Sequence, residues 1–112
     1  MLATIQKLLL VLPFATVTVF AADLPGDPVE GEEIYMDVCE ECHQVDGTGE
    51  NGATAGDFVN DKKILSQSDE ELLLTIFDGK GDPIDGMPSM KDELSDKEMK
   101  DVLSYIRQTF GS

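Results

Sequence analysis

Cys39-Glu40-Glu41-Cys42-His43 gathers both cysteines and the sole histidine of the chain into five residues. Two thiols separated by two residues can add across the two vinyl groups of a haem. An imidazole directly after the second thiol can then ligate the iron. The same spacing also serves redox dithiols and zinc sites. A thioredoxin-type dithiol calls for a preceding strand and a βαβ unit, whereas the residues ahead of Cys39 read as helix. A zinc site calls for four nitrogen or sulfur ligands, and three adjacent ones are present. Attachment of one c-type haem is the leading reading, with Cys39 and Cys42 as covalent anchors and His43 as proximal ligand.

A second axial ligand has to come from elsewhere. One histidine excludes bis-histidine ligation within the chain, and a methionine thioether suits electron transfer. Met1 falls in a segment expected to be removed, and Met36, three residues before Cys39, belongs to the proximal side. Met99 lies on the core face of a helix. Met87 and Met90 remain, both in an irregular segment that can reach the opposite haem face. Met87 is stiffened by Gly86 and Pro88, while Met90 equally suits a gap-filling core position. An open or lysine-bound sixth position is the remaining alternative.

The elements that must position these groups read as helices. Asp27 suits an N-cap, Pro28 a first helical position and Glu30 a first turn, so a helix is expected to about Cys39 with Ile34, Tyr35 and Val38 on one face. Residues 46–57 hold four glycines and no apolar periodicity, a loop. Ser68-Asp-Glu-Glu71 forms a capping box ahead of Leu72, Leu73, Ile76 and Phe77, with Gly79 as the stop. Residues 80–91 are again irregular. Ser95-Asp-Lys-Glu98 opens a last helix with Met99, Val102, Leu103, Ile106 and Phe110 at core spacing, ending at Gly111. The expected fold is all-α, three or more helices and long loops wrapped around a large cofactor.

The N-terminus reads as a secretory signal: Lys7, then an uncharged run from Leu8 to Ala22, with Val19-Phe20-Ala21 as the cleavage site. We expect a signal peptide at 1–21, one domain at 22–112 and a periplasmic location. The apolar run is shorter than the roughly 20 residues a spanning helix needs and contains Pro13, so an uncleaved membrane anchor is the minor alternative. Outside the cytoplasm the thiols would otherwise risk closing as a disulfide.

The chain has 112 residues and a formal net charge of −15. Such charge excludes nucleic acid as an expected ligand. With five phenylalanines, two tyrosines and no tryptophan, the core is thin for a domain of this size, and a buried haem would supply missing apolar volume. Seven acidic residues and no basic one lie between Glu30 and Asp46. They read as a solvated surface or as a docking face for a redox partner with a basic patch. Acidic charge near the haem should favour the ferric state.

The chain resembles the small bacterial monohaem class I c-type cytochromes. The resemblance runs through Gly31 and Tyr35, the Cys39–His43 motif, Asp46-Gly-Thr-Gly49, the Ser-Asp-Glu-Glu-Leu start at 68–72, Met87-Pro88, Leu94-Ser-Asp and Tyr105-Ile-Arg107. It implies the class I cytochrome c fold, with Met87 as sixth ligand. It also implies crossing terminal helices in which Gly31 and Tyr35 meet Val102 and Tyr105. Family members often have a proline after the haem motif whose carbonyl accepts from the proximal histidine. No proline lies between His43 and Pro83, and a carbonyl near Ala53–Ala55 is expected to replace it. The implied function is that of a monomeric single-electron carrier and not an enzyme. The alternatives are a gas-binding sensor with a displaceable ligand, or a haem subunit of a larger periplasmic oxidoreductase.

Overall fold

The computed structural model describes residues 23–49, 55–82 and 86–111; the expected signal peptide lies outside them. Helix α1, Pro28–Ile34, starts where the Asp27 carboxylate accepts the Val29 N–H and Pro28 sets the first turn. It does not stop at Cys39. A π turn, Tyr35–Cys39, carries it into α2, Glu40–His43, so the whole C-x-x-C-H motif completes the helix. A short helix that the sequence pattern does not announce, α3 (Lys62–Leu65), is capped by Asp61.

Helix α4, Asp69–Asp78, begins at Ser68, whose hydroxyl accepts the Glu71 N–H. Only this serine half of the expected capping box forms. Gly79 ends α4 at φ 80, a left-handed geometry suited to glycine. Its neighbour Lys80 pairs with Met87 in an isolated antiparallel bridge. Helix α5, Asp96–Phe110, carries the complete reciprocal box between Ser95 and Glu98. The described residues contain helices, turns and that one bridge but no strand, so the fold is all-α as expected.

The core lies where α1 and the π turn cross α5. Tyr35 is fully buried, its ring 5.2 Å from Tyr105 and 5.7 Å from Phe110. A Cβ on Gly31 would collide with the carbonyl of Asp101 and touch Tyr105. The crossing therefore meets at Asp101 and Tyr105 for Gly31, and at Tyr105 and Phe110 for Tyr35. Met99, Val102, Leu103, Ile106 and Phe110 are all buried along α5, and Leu72 and Ile76 face them from α4.

Two polar side chains of α5 fasten the N-terminal end of α1. Ser104 Oγ accepts the Gly26 N–H at 2.7 Å and Asp101 Oδ1 accepts the Asp27 N–H at 2.8 Å. Further along α5, Arg107 donates to Asp69, to the Leu65 carbonyl and to the Gln67 carbonyl, fixing the α3–α4 junction. Burial would by itself raise the Asp101 pKa, but the Asp27 N–H and the Lys97 ammonium outweigh it and hold the carboxyl below its usual value.

A depressed folded pKa means that stabilisation is complete above the unfolded value of ~3.9 and is lost as pH falls through the folded one. Asp101→Asn should cost about 1–2 kcal/mol at neutral pH. The gap between the two proteins should close on acidification below about pH 4. Urea titrations across the acid range check this; a gap independent of pH would contradict it.

Candidate functional site

The motif cysteines are both free thiols, Cys39 half-buried and Cys42 exposed. Burial, reinforced by the neighbouring Cys42, pushes the Cys39 thiol up to about 12. A redox dithiol works through a thiolate stabilised well below its ordinary pKa, so this environment opposes the dithiol chemistry that the spacing alone permits.

His43 ends α2 with its ring stacked on Phe58, centroids 4.5 Å apart, and Phe58 stacks in turn on Phe110 at 5.9 Å. Nδ1 lies 3.0 Å from the carbonyl oxygen of Gly56. A carbonyl can only accept, so Nδ1 carries the proton and Nε2 keeps its lone pair. Burial lowers the His43 pKa, partly offset by the Gly56 bond. The imidazole is thus neutral, with one nitrogen oriented by backbone and the other available as a donor to a metal. The acceptor is Gly56, one residue beyond the expected Ala53–Ala55 stretch. Of that stretch, Ala53 and Thr54 lie outside the described residues.

The loop that supplies Gly56 is braced on both sides. The His43 carbonyl accepts the Gly49 N–H, and the Gly47 carbonyl accepts the Phe58 N–H. The Asp57 carboxylate accepts from Val59 and Asn60, turning the chain directly after Gly56. Tyr35 reaches in from the helix crossing, its hydroxyl donating to the Gln44 carbonyl at 2.6 Å. Burial first, then the nearby Cys39, raises its pKa and keeps it a donor.

Met87 comes from a separate segment, between α4 and α5. Its N–H donates to Lys80 O at 2.8 Å and its carbonyl accepts from Lys80 at 2.9 Å, which fixes its backbone. The side chain is half-buried against the core cluster. Met90 is buried, with its N–H on the Ile76 carbonyl and its own carbonyl accepting from Glu93 and Leu94. Met99 is buried in α5, and Met36 is exposed on the π turn. The half-buried Val38, Val59, Ile64, Leu65 and Leu73 lean on the same core, an apolar rim only partly covered by protein.

These residues fit a covalently attached haem. Two free thiols, a neutral histidine with a free Nε2, a thioether on a fixed backbone and a partly covered apolar rim are what such a group requires. A helical chain closed by its terminal helices, with C-x-x-C-H at the end of the first, defines a protein of the c-type haem class.

The Cytochrome c family model matches residues 28–110, and the chain belongs to the cytochrome c family, whose members carry covalent haem c. It is 32% identical over 93 residues to the cytochrome c subunit of an alcohol dehydrogenase (quinone) from Gluconobacter oxydans (strain 621H). That match covers 78% of this chain but spans about 20% of the subunit. Among solved structures it is similar to the c-type cytochrome KustC0563, with 26% identity and a TM-score of 0.57, covering 72% of this chain and 94% of that one. It is also similar to cytochrome cL of Hyphomicrobium denitrificans, with 25% identity and a TM-score of 0.60, covering 76% and 48%.

The sequence does not announce Phe58, Gly56 or the Tyr35–Gln44 bond. No spacing rule marks them, because each acts through a loop whose path is set by tertiary contacts.

Proposed function

We propose that this chain is a periplasmic single-electron carrier holding one c-type haem through Cys39 and Cys42, with His43 and Met87 as axial ligands. The observation that carries the reading is the Nδ1 bond from His43 to Gly56 inside the C-x-x-C-H motif, which leaves Nε2 as the donor. When bound, the haem supplies a one-electron iron couple. The chain's own part is to hold the imidazole plane through Gly56 and Phe58 and to present Met87 from its bridge with Lys80. Its apolar rim excludes water from the site. With both axial positions filled by protein, no position remains for a substrate on the metal, and the protein is read as a carrier and not an enzyme.

The acidic run around the motif, Glu30 to Asp46, favours a redox partner with a basic patch and association that weakens as salt rises. It repels nucleic acid. No helix among the described residues is long and apolar enough to cross a membrane; the reading is of a monomer that is not inserted stably. Similarity to a dehydrogenase's cytochrome c subunit favours a dehydrogenase as the electron donor, and a permanent haem subunit as the second reading. Isolation as a free monomer after export separates the two.

The test of ligation is spectroscopic. The ferric protein should show the weak far-red band of sulfur on haem iron and remain indifferent to carbon monoxide in the ferrous state. Met87→Ala should abolish the band and open the iron to carbon monoxide. A parent protein that lacks the band and binds carbon monoxide readily would overturn the carrier reading in favour of a gas-binding sensor.

A further inference from the structure

We propose that the Tyr35 hydroxyl is a positioning group for His43, acting through the backbone of Gln44. The inference rests on His43 being an axial ligand. Gln44, directly after His43, stands at φ 68 and ψ 158, a region that is essentially the preserve of glycine. It is the only residue other than glycine with a positive φ among the described residues. Strain of this kind persists where neighbouring contacts over-determine it.

Three hydrogen bonds do so here. The Gln44 N–H donates to Glu40 O at 2.8 Å, and the Gln44 carbonyl accepts from Gly47 at 3.1 Å and from Tyr35 Oη at 2.6 Å. The first two are local to the turn. The third comes from a fully buried ring wedged against Tyr105 and Phe110, so it ties the turn to the rigid helix crossing. Tyr35 also closes the other end of the segment, because its carbonyl accepts the Glu40 N–H across the π turn. One residue thereby brackets Cys39, Cys42 and His43 from both sides.

Phenylalanine would fill the same space beside Tyr105 and Phe110, so packing gives the phenolic oxygen no work to do. Without that oxygen the Gln44 carbonyl loses its fixed partner and the peptide can relax toward negative φ. That rotation moves the backbone of His43 relative to Gly56, and the imidazole turns with it.

The test compares haem-loaded parent, Tyr35→Phe, Gln44→Gly and the double variant. The readouts are the paramagnetically shifted proton resonances of the His43 ring and haem methyls, the reduction potential and the melting temperature. Tyr35→Phe should displace the resonances and shift the potential. Gln44→Gly should raise the melting temperature, because glycine adopts the turn without strain. The double variant should return resonances and potential toward parental values.

A Tyr35→Phe protein that melts earlier with parental resonances and potential would overturn the inference alone. So would displacements that persist undiminished in the double variant. Absence of His43 ligand resonances from the parent would overturn the ligation reading and the inference with it. Should Tyr35→Phe not fold, Gln44→Val keeps the hydroxyl but makes the turn costlier; displaced His43 resonances there support the proposal and parental ones overturn it.

Discussion

Cys39→Ser/Cys42→Ser is expected to abolish folding, leaving a chain with little helical circular dichroism at 25 °C and no cooperative melt. The reason lies in the core. Among the described residues the buried apolar core is twelve side chains, of which Tyr35, Val102 and Leu103 are among the largest that are fully enclosed. Val38, Val59, Ile64, Leu65, Leu73 and Met87 are partly buried against it. A small domain's own core rarely supplies more than ~3–5 kcal/mol, and several apolar side chains around this one are only partly buried. Self-repulsion at a net charge of −15 weakens the compact state further. A haem held by Cys39 and Cys42 would add apolar contact to these residues, and serine cannot form the thioether bonds that would hold it. Native-like circular dichroism in the double serine variant would show that the protein core suffices by itself.

Gly31→Ala is the second large effect, and it needs only one methyl group. The added carbon would overlap the main-chain carbonyl of Asp101 and press on Tyr105 Cβ. A flexible side chain could move aside; a helix backbone cannot without shifting α5 bodily. Such a shift would also pull Asp101 and Ser104 off the N–H groups of Asp27 and Gly26. Alanine's better helix propensity returns at most about 1 kcal/mol. A net loss of about 3 kcal/mol is expected, read as a fall in melting temperature on the order of 15 °C. Glu32→Ala, one residue on and exposed, is the control and should change little. Equal melting of Gly31→Ala and Glu32→Ala would mean that the crossing is looser than its geometry implies.

Legibility in the sequence followed the range of the interaction. The helix starts at Pro28 and Asp96 are written in adjacent residues, through Asp27 and the Ser95–Glu98 box, and the chain forms them as read. The apolar period of α5 likewise reports its buried face. What the sequence hides are the partners of groups far along the chain. Asp101 and Arg107 look like ordinary surface charges on an amphipathic helix, yet one is 3% exposed and the other joins three separate acceptors. Gly56 as acceptor for His43 was missed by one residue, because a glycine-rich loop gives no periodicity from which to read its register. The π turn was invisible for a similar reason: no residue type marks an extra residue in a helical turn.

The clamp at the helix crossing also dictates an order of events. Gly26 and Asp27 bind partners 78 and 74 residues downstream, so the first helix has nowhere to dock until the last has been made. Closing a loop of that length costs on the order of 4 kcal/mol of chain entropy, and no nearer segment offers α1 an equivalent surface. During synthesis the segment from Gly26 to His43 is therefore left without its docking surface, with both thiols accessible. Only when the tail arrives does Tyr35 seat against Tyr105, and Cys39 becomes half-buried while Cys42 stays exposed.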